Sequence, residues 1–153
     1  MQIILVRHGQ TEWNREERFR GRADLELTDL GLRQAEATAG HLTRWPVSSV
    51  YSSPLKRTME TGEAIAGRLG LQVKPHEGLI DIDFGRWQGL SLAEAEKSDP
   101  SLYRLWVESP HLVTFPGGEG LAQVRQRVDS VLKGLRETYK DETVVLVSHK
   151  VVC

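Results

Sequence analysis

Two of the five histidines in this chain stand directly after short apolar, β-rich runs. Ile3 to Val6 leads into Arg7-His8-Gly9, and Val144 to Val147 leads into Ser148-His149. A third and weaker run, Ser49 to Ser52, leads into a helical segment whose first turns carry Lys56 and Arg57. An imidazole has an unperturbed pKa of about 6.5, so it is largely neutral at pH 7 and then a good nucleophile. Guanidinium groups offer planar donor forks that match phosphate oxygens. Arg7, His8, Arg57 and His149 together point to attack by a ring nitrogen on a bound phosphoryl group. A metal site is the rival reading. Zinc normally takes three or four ligands, often with cysteine or carboxylates nearby, and flanking arginines repel a cation. Anion chemistry is therefore favoured, with no metal.

For these side chains to meet, the chain must bring the ends of separate strands together. The runs at Ile3–Val6 and Val144–Val147 suit central strands of a parallel sheet buried on both faces. Ser49–Ser52 and Leu71–Lys74 are further candidates. Helical patterns alternate with them. Thr28 reads as the N-cap of a segment reaching Arg44, with Leu32, Ala35, Ala39 and Leu42 on one face. Ser53-Pro54 reads as cap and first-turn proline of a helix carrying Met59, Ile65, Ala66 and Leu69, stopped by Gly70. After Pro116-Gly117-Gly118 a long helix carries an apolar stripe of Leu121, Val124, Val128, Val131, Leu132 and Leu135; in all these helices the stripe reads as core. Region 75–115, with Trp87, Tyr103 and Trp106, reads as loops and short helices lying over the site. The alternation predicts an α/β fold around a mostly parallel sheet. In such a sheet, ligands bind beyond the carboxyl ends of the strands. The helix after Ser53-Pro54 is expected to aim its amides and dipole at that edge.

Composition sets the outer limits. At 153 residues the chain fits one domain, and 39% hydrophobic with 27% charged residues is ordinary for a globular protein. A net charge of −1 gives no global field toward nucleic acid or an anionic membrane. The four-residue apolar run at the N-terminus is too short for a membrane span or a signal core. The single Cys153 forms no internal disulfide, and the reading is cytoplasmic.

The residues also carry a resemblance. Arg7-His8-Gly9-Gln10-Thr11-Glu12-Trp13-Asn14 resembles the signature of the histidine phosphatase superfamily, phosphoglycerate mutase-like branch. The match continues in order through Gly21, Asp24, Leu27-Thr28, Gly31 and Gln34-Ala35. It runs on through Ser52 to Thr58, Phe84 to Gly89, Pro116 to Glu119, and Val147-Ser148-His149. The resemblance implies a three-layer α/β sandwich and a phosphohistidine formed on His8. Arg7, Asn14, Arg57 and His149 would bind the phosphoryl oxygens, with Thr11, Arg20 and Gly21 as further substrate contacts. Asp81 falls where the family places a proton donor, usually Glu, and Asp83 competes with it. His149, if protonated, would add positive charge, and no cofactor is implied.

Several positions depart from the family pattern. Arg20 either brings charge to the substrate or is a solvated loop residue, and Lys150 poses the same choice. Gln88 and Gly120 replace common Glu and Ser. Only three residues follow His149, so the chain is expected to lack the family's usual C-terminal elements, leaving a sheet face that would favour a homodimer. The expected activity is hydrolysis of phosphomonoesters of small metabolites. Phosphoglycerate mutase is the alternative, and a non-catalytic phosphate-binding or regulatory module is the alternative of another class.

Overall fold

The computed structural model describes residues 1–153. In chain order it holds β1 (Gln2–Arg7), α1 (Glu12–Arg15), α2 (Asp29–Leu42), β2 (Val47–Ser52), α3 (Lys56–Leu69) and β3 (Val73–Pro75). Then follow α4 (Leu92–Ser98), α5 (Pro100–Glu108), α6 (Leu121–Thr138) and β4 (Thr143–Ser148), with 3₁₀ turns at Glu77–Leu79, Gly85–Trp87 and Pro110–Leu112.

The four strands form one sheet in the order β1-β4-β2-β3, and every pairing is parallel. All six residues of β4 are buried, as its unbroken apolar run requires. Alternation along the strands then sorts side chains to two faces. Val6, Val50, Val145 and Val147 pack with Ala39 and Leu42 of α2 and Ile65 and Ala66 of α3. Val144 and Leu146 face the other way, onto Leu79 and onto Val131 and Leu135 of α6. The result is three layers, helix–sheet–helix. Burying each Val, Leu or Ile in them contributes about 1.5–3 kcal/mol.

Three sequence expectations change. β1 is an edge strand, not a central one: only β4 pairs with it, and Leu5 is 54% exposed. Leu32 is also exposed, because Gly31 joins Ala35, Ala39 and Leu42 on the buried face of α2. Helix α3 begins at Lys56 with Leu55 at the cap position, so Ser53-Pro54 lies in the preceding turn. Its first amide, Lys56 N–H, is satisfied by the Asp24 carboxylate at 2.7 Å, so that amide is not offered to a ligand.

A second apolar cluster joins Phe19, Phe84, Trp87 and Phe115 to Ala95 of α4, Leu105 and Trp106 of α5, and Val124 of α6. Edge-to-face aromatic contacts at 5.0 Å link Phe84 to Phe19 and to Phe115. This cluster orders the segment from Ile82 to Phe115, which holds no strand.

The loop after β1 is clamped backbone to backbone. Thr28 N–H donates to Gln10 O at 2.9 Å, and Thr28 Oγ1 caps Gly31 N–H at 3.1 Å. A Cβ on Gly31 would lie 2.2 Å from Gln10 O, and one on Gly9 would lie 2.4 Å from Gly31 O. Only glycine permits this approach. Gly31→Ala is therefore expected to cost about 1–3 kcal/mol in urea unfolding, as overpacking does. Gly40→Ala in the same helix, where an added Cβ meets nothing within 4 Å, is expected to stabilise instead.

Candidate active site

His8 follows β1 and His149 follows β4, and these strands are neighbours with Arg7 paired to Ser148 in register. Their rings lie 5.3 Å apart, centroid to centroid. His8 Nδ1 is 2.6 Å from Gly9 O. A carbonyl only accepts, so Nδ1 carries the proton and the neutral ring keeps its lone pair on Nε2. Burial, with Arg57, Arg20 and Arg7 opposing another positive charge, pushes the His8 pKa down to about 3 against the pull of the Gly9 carbonyl. The Gly9 amide is held in turn by Thr61 Oγ1 of α3, at 3.2 Å.

His149 is fully buried, with Nε2 2.8 Å from Ser53 Oγ and Nδ1 3.6 Å from Asp81 Oδ2. Burial first, then Arg57, drives its pKa far below the ordinary histidine value. The condition that His149 be protonated is therefore not favoured at this site. It is a neutral ring that can still present an N–H.

Arg57 is also fully buried. Nη1 donates to Ala23 O at 2.6 Å, and Nη2 donates to Gly21 O at 2.7 Å and to Asp81 Oδ2 at 3.3 Å. Its Nε has no hydrogen-bond partner in the protein, and neither do the buried Arg20 Nε, Arg127 Nε and His149 Nδ1. Buried donors are rarely left unpaired, and two of these, on Arg57 and Arg20, belong to side chains whose charge bears on His8.

Arg7 and Asn14 line two adjoining cavities. The first, about 370 Å³, is polar and touches His8, Gln10, Gln34 and Thr61. The second, about 420 Å³, is walled by Arg20, Asp81, Phe84, Tyr103, Trp106 and Lys150. Both fall in the size range of small-ligand sites. Asn14 Oδ1 accepts from the Thr11 amide and hydroxyl, each at 2.9 Å, which fixes the amide in the cavity lining. Thr11 and Gly21, expected as substrate contacts, line neither cavity, and the buried Arg57 and His149 line neither as well. Thr11 is fully buried and orients Asn14, and Gly21, at φ +50°, supplies the carbonyl that holds Arg57. Arg20 and Lys150 both stand in the second cavity wall.

Of the two aspartates, Asp81 faces the His149 imidazole. Asp83 turns away, accepting from Gly85 N–H at 2.8 Å and lying 3.8 Å from Arg22. Burial raises the Asp81 pKa above the ordinary carboxyl value, although Arg57 pulls it the other way. Asp81 Oδ1 accepts from Ile82 N–H at 2.9 Å, so Oδ2 is the oxygen turned to the site. No group of three or more His, Cys, Asp or Glu side chains is placed to hold a metal ion. No helix is long and apolar enough to cross a membrane.

Sequence reading missed Ser53, Thr61, Glu119 and Arg127. Arg127 left a signal: it sits three residues after Val124 and four before Val131, on the buried face of α6.

The profile of the histidine phosphatase superfamily (branch 1) matches residues 3–153. The chain belongs to that superfamily. It is 42% identical to phosphoserine phosphatase 1 of Hydrogenobacter thermophilus, over 99% of this chain and 72% of that protein. Among solved structures, Bacillus stearothermophilus YhfR superposes with a TM-score of 0.93 at 31% identity, over 98% of this chain and 74% of that one. A mycobacterial glucosyl-3-phosphoglycerate phosphatase gives a TM-score of 0.89 at 31% identity, covering 97% and 73%. As a histidine phosphatase superfamily member, the chain has the fold that its residues implied.

Buried neutral histidines couple acid to unfolding. The unfolded chain binds protons on these rings below pH 6.5 while the folded one refuses them down to about 3 at His8. Stability therefore falls as pH drops through that window. The Tm of His8→Asn is expected to fall less steeply between pH 6.5 and 4 than that of the wild type, in calorimetry at matched ionic strength.

Proposed function

We propose that this chain is a phosphatase that hydrolyses phosphomonoesters of small metabolites through a phosphohistidine on His8. The observation that carries the reading is His8 itself: a buried, neutral, Nδ1-protonated imidazole beside unpaired N–H donors of Arg57 and Arg20. The names of its relatives, a phosphoserine phosphatase and a glucosyl-3-phosphoglycerate phosphatase, support the same class of substrate.

In the first step the Nε2 lone pair of His8 attacks phosphorus in line and the ester P–O bond breaks. The departing oxygen takes the proton of Asp81 Oδ2. Arg7, Arg57, Asn14 and His149 bind the phosphoryl oxygens, where preorganised donors stabilise spreading negative charge. An arriving phosphate dianion raises the Asp81 pKa further, so substrate binding itself favours the protonated acid. In the second step the Asp81 carboxylate takes a proton from water. The water oxygen attacks phosphorus, and the P–N bond breaks with its electron pair returning to Nε2. One hard displacement becomes two easier ones. The second cavity takes the leaving group, its aromatic wall packing the carbon skeleton and Arg20 and Lys150 adding positive charge. We place this activity in the cytoplasm, in keeping with a chain whose one cysteine is free.

Rapid quench with p-nitrophenyl phosphate tests the reading. The wild type is expected to release a burst of nitrophenol and to carry acid-labile phosphate on His8. His8→Ala is expected to lose roughly 10³-fold or more in kcat/KM and all of the label. Equal rates in the two proteins would overturn the reading. A label that outlasts many turnover times in water but passes to 3-phosphoglycerate would mark a mutase.

A further inference from the structure

The segment that carries Asp81 has little regular structure of its own. After the 3₁₀ turn at Glu77–Leu79, no helix or strand includes Ile80 to Phe84. An aspartate carboxyl stands one carbon from its backbone, so its placement follows that backbone closely, and an effective proton donor must be held to about 0.5 Å. Outside contacts must supply that rigidity.

Helix α6 supplies most of it through one side chain. Arg127 Nη1 donates to Gly78 O at 2.8 Å, and Nη2 donates to Asp81 O at 3.1 Å and to Glu119 Oε1 at 2.9 Å. The same Glu119 oxygen accepts from Asp83 N–H at 3.2 Å, while Glu119 N–H donates to Asp83 O at 2.9 Å. Arg22 Nη2 lies 3.5 Å from Glu119 Oε1, and Arg22 Nε donates to Asp81 O at 3.5 Å. Both ionic side chains are mostly buried, at 19% and 13% exposure, so the pair is well shielded from solvent. Farther along, Ser148 Oγ donates to Leu79 O at 2.7 Å and ties the same segment to the end of β4. The backbone is therefore gripped before, at and after Asp81, and two of those grips pass through one guanidinium.

We infer that Arg127 is a positioning residue for the proton donor. It sets the reach of Asp81 by holding the Gly78 and Asp81 carbonyls and, through Glu119, the Asp83 backbone. The inference rests on the proposed role of Asp81. Arg127 lines neither cavity at the site, and its hydrogen bonds go to the Asp81 segment and Glu119, so its main effect is on proton delivery.

The test compares two aryl esters of similar shape, p-nitrophenyl phosphate and phenyl phosphate. Nitrophenolate leaves without a proton. Phenolate, whose acid titrates near 10 as tyrosine does, needs one. Arg127→Met is expected to lose roughly tenfold or more in kcat on phenyl phosphate and less than about threefold on the nitrophenyl ester, with KM little changed. Asp81→Asn is expected to show the same bias more strongly, and adding Arg127→Met to it is expected to remove little more. Arg127→Lys keeps charge and packing but loses the fork, and it should shift the ratio in the same direction even if the Met variant does not fold. An equal loss on both esters, or none, overturns the positioning role. If Asp81→Asn itself shows no bias, the donor assignment falls, and the positioning role falls with it.

Discussion

A single hydrogen bond, from His8 Nδ1–H to the carbonyl of its own neighbour Gly9, decides what this site can do. It fixes the tautomer, so the lone pair sits on Nε2, and it holds the ring at 2.6 Å from a backbone that cannot move far. That backbone is immobile because Gly9 and Gly31 let two main chains touch, and because Thr28, Gln34 and Thr61 pin the loop to α2 and α3. Sheet register then does the remaining work. Pairing Arg7 with Ser148 sets His149 beside His8, and β2, on the other side of β4, brings Ser53 within 2.8 Å of His149.

The electrostatics follow from dryness and crowding. Arg57 and Asp81 form a buried pair at 3.3 Å that is incomplete as a salt bridge, since burial raises the carboxyl pKa even with a guanidinium adjacent. Such a pair is weak evidence for stability. Burial first, then the charges of Arg57, Arg20 and Arg7, suppresses protonation of His8 and keeps its ring neutral.

Much of this was legible in the residues. Apolar, β-rich runs leading into Arg7-His8 and Ser148-His149 identified two strands, and the parallel sheet gathers their ends, with both rings, at one edge. The ordered motifs of the resemblance carried Arg57, Asn14 and Asp81 as well. What stayed hidden had physical causes. β1 reads like β4 in composition, and only pairing partners distinguish an edge strand from a central one. Thr11 looked like a ligand contact because a hydroxyl beside His8 can serve a substrate or a neighbour, and burial chose Asn14. The choice between Asp81 and Asp83 depends on a turn at Gly85 whose amide claims Asp83. Arg127 belongs to none of the motifs, and a single charge in an apolar stripe says that it is buried, not what it holds.

The most direct measurement is the ¹⁵N spectrum of the His8 ring, assigned with His8→Asn and followed by pH titration of the protein without ligand. The account predicts a neutral, Nδ1-protonated ring with an unprotonated Nε2 down to about pH 4. A ring protonated at Nε2, or one doubly protonated at pH 6, would contradict it.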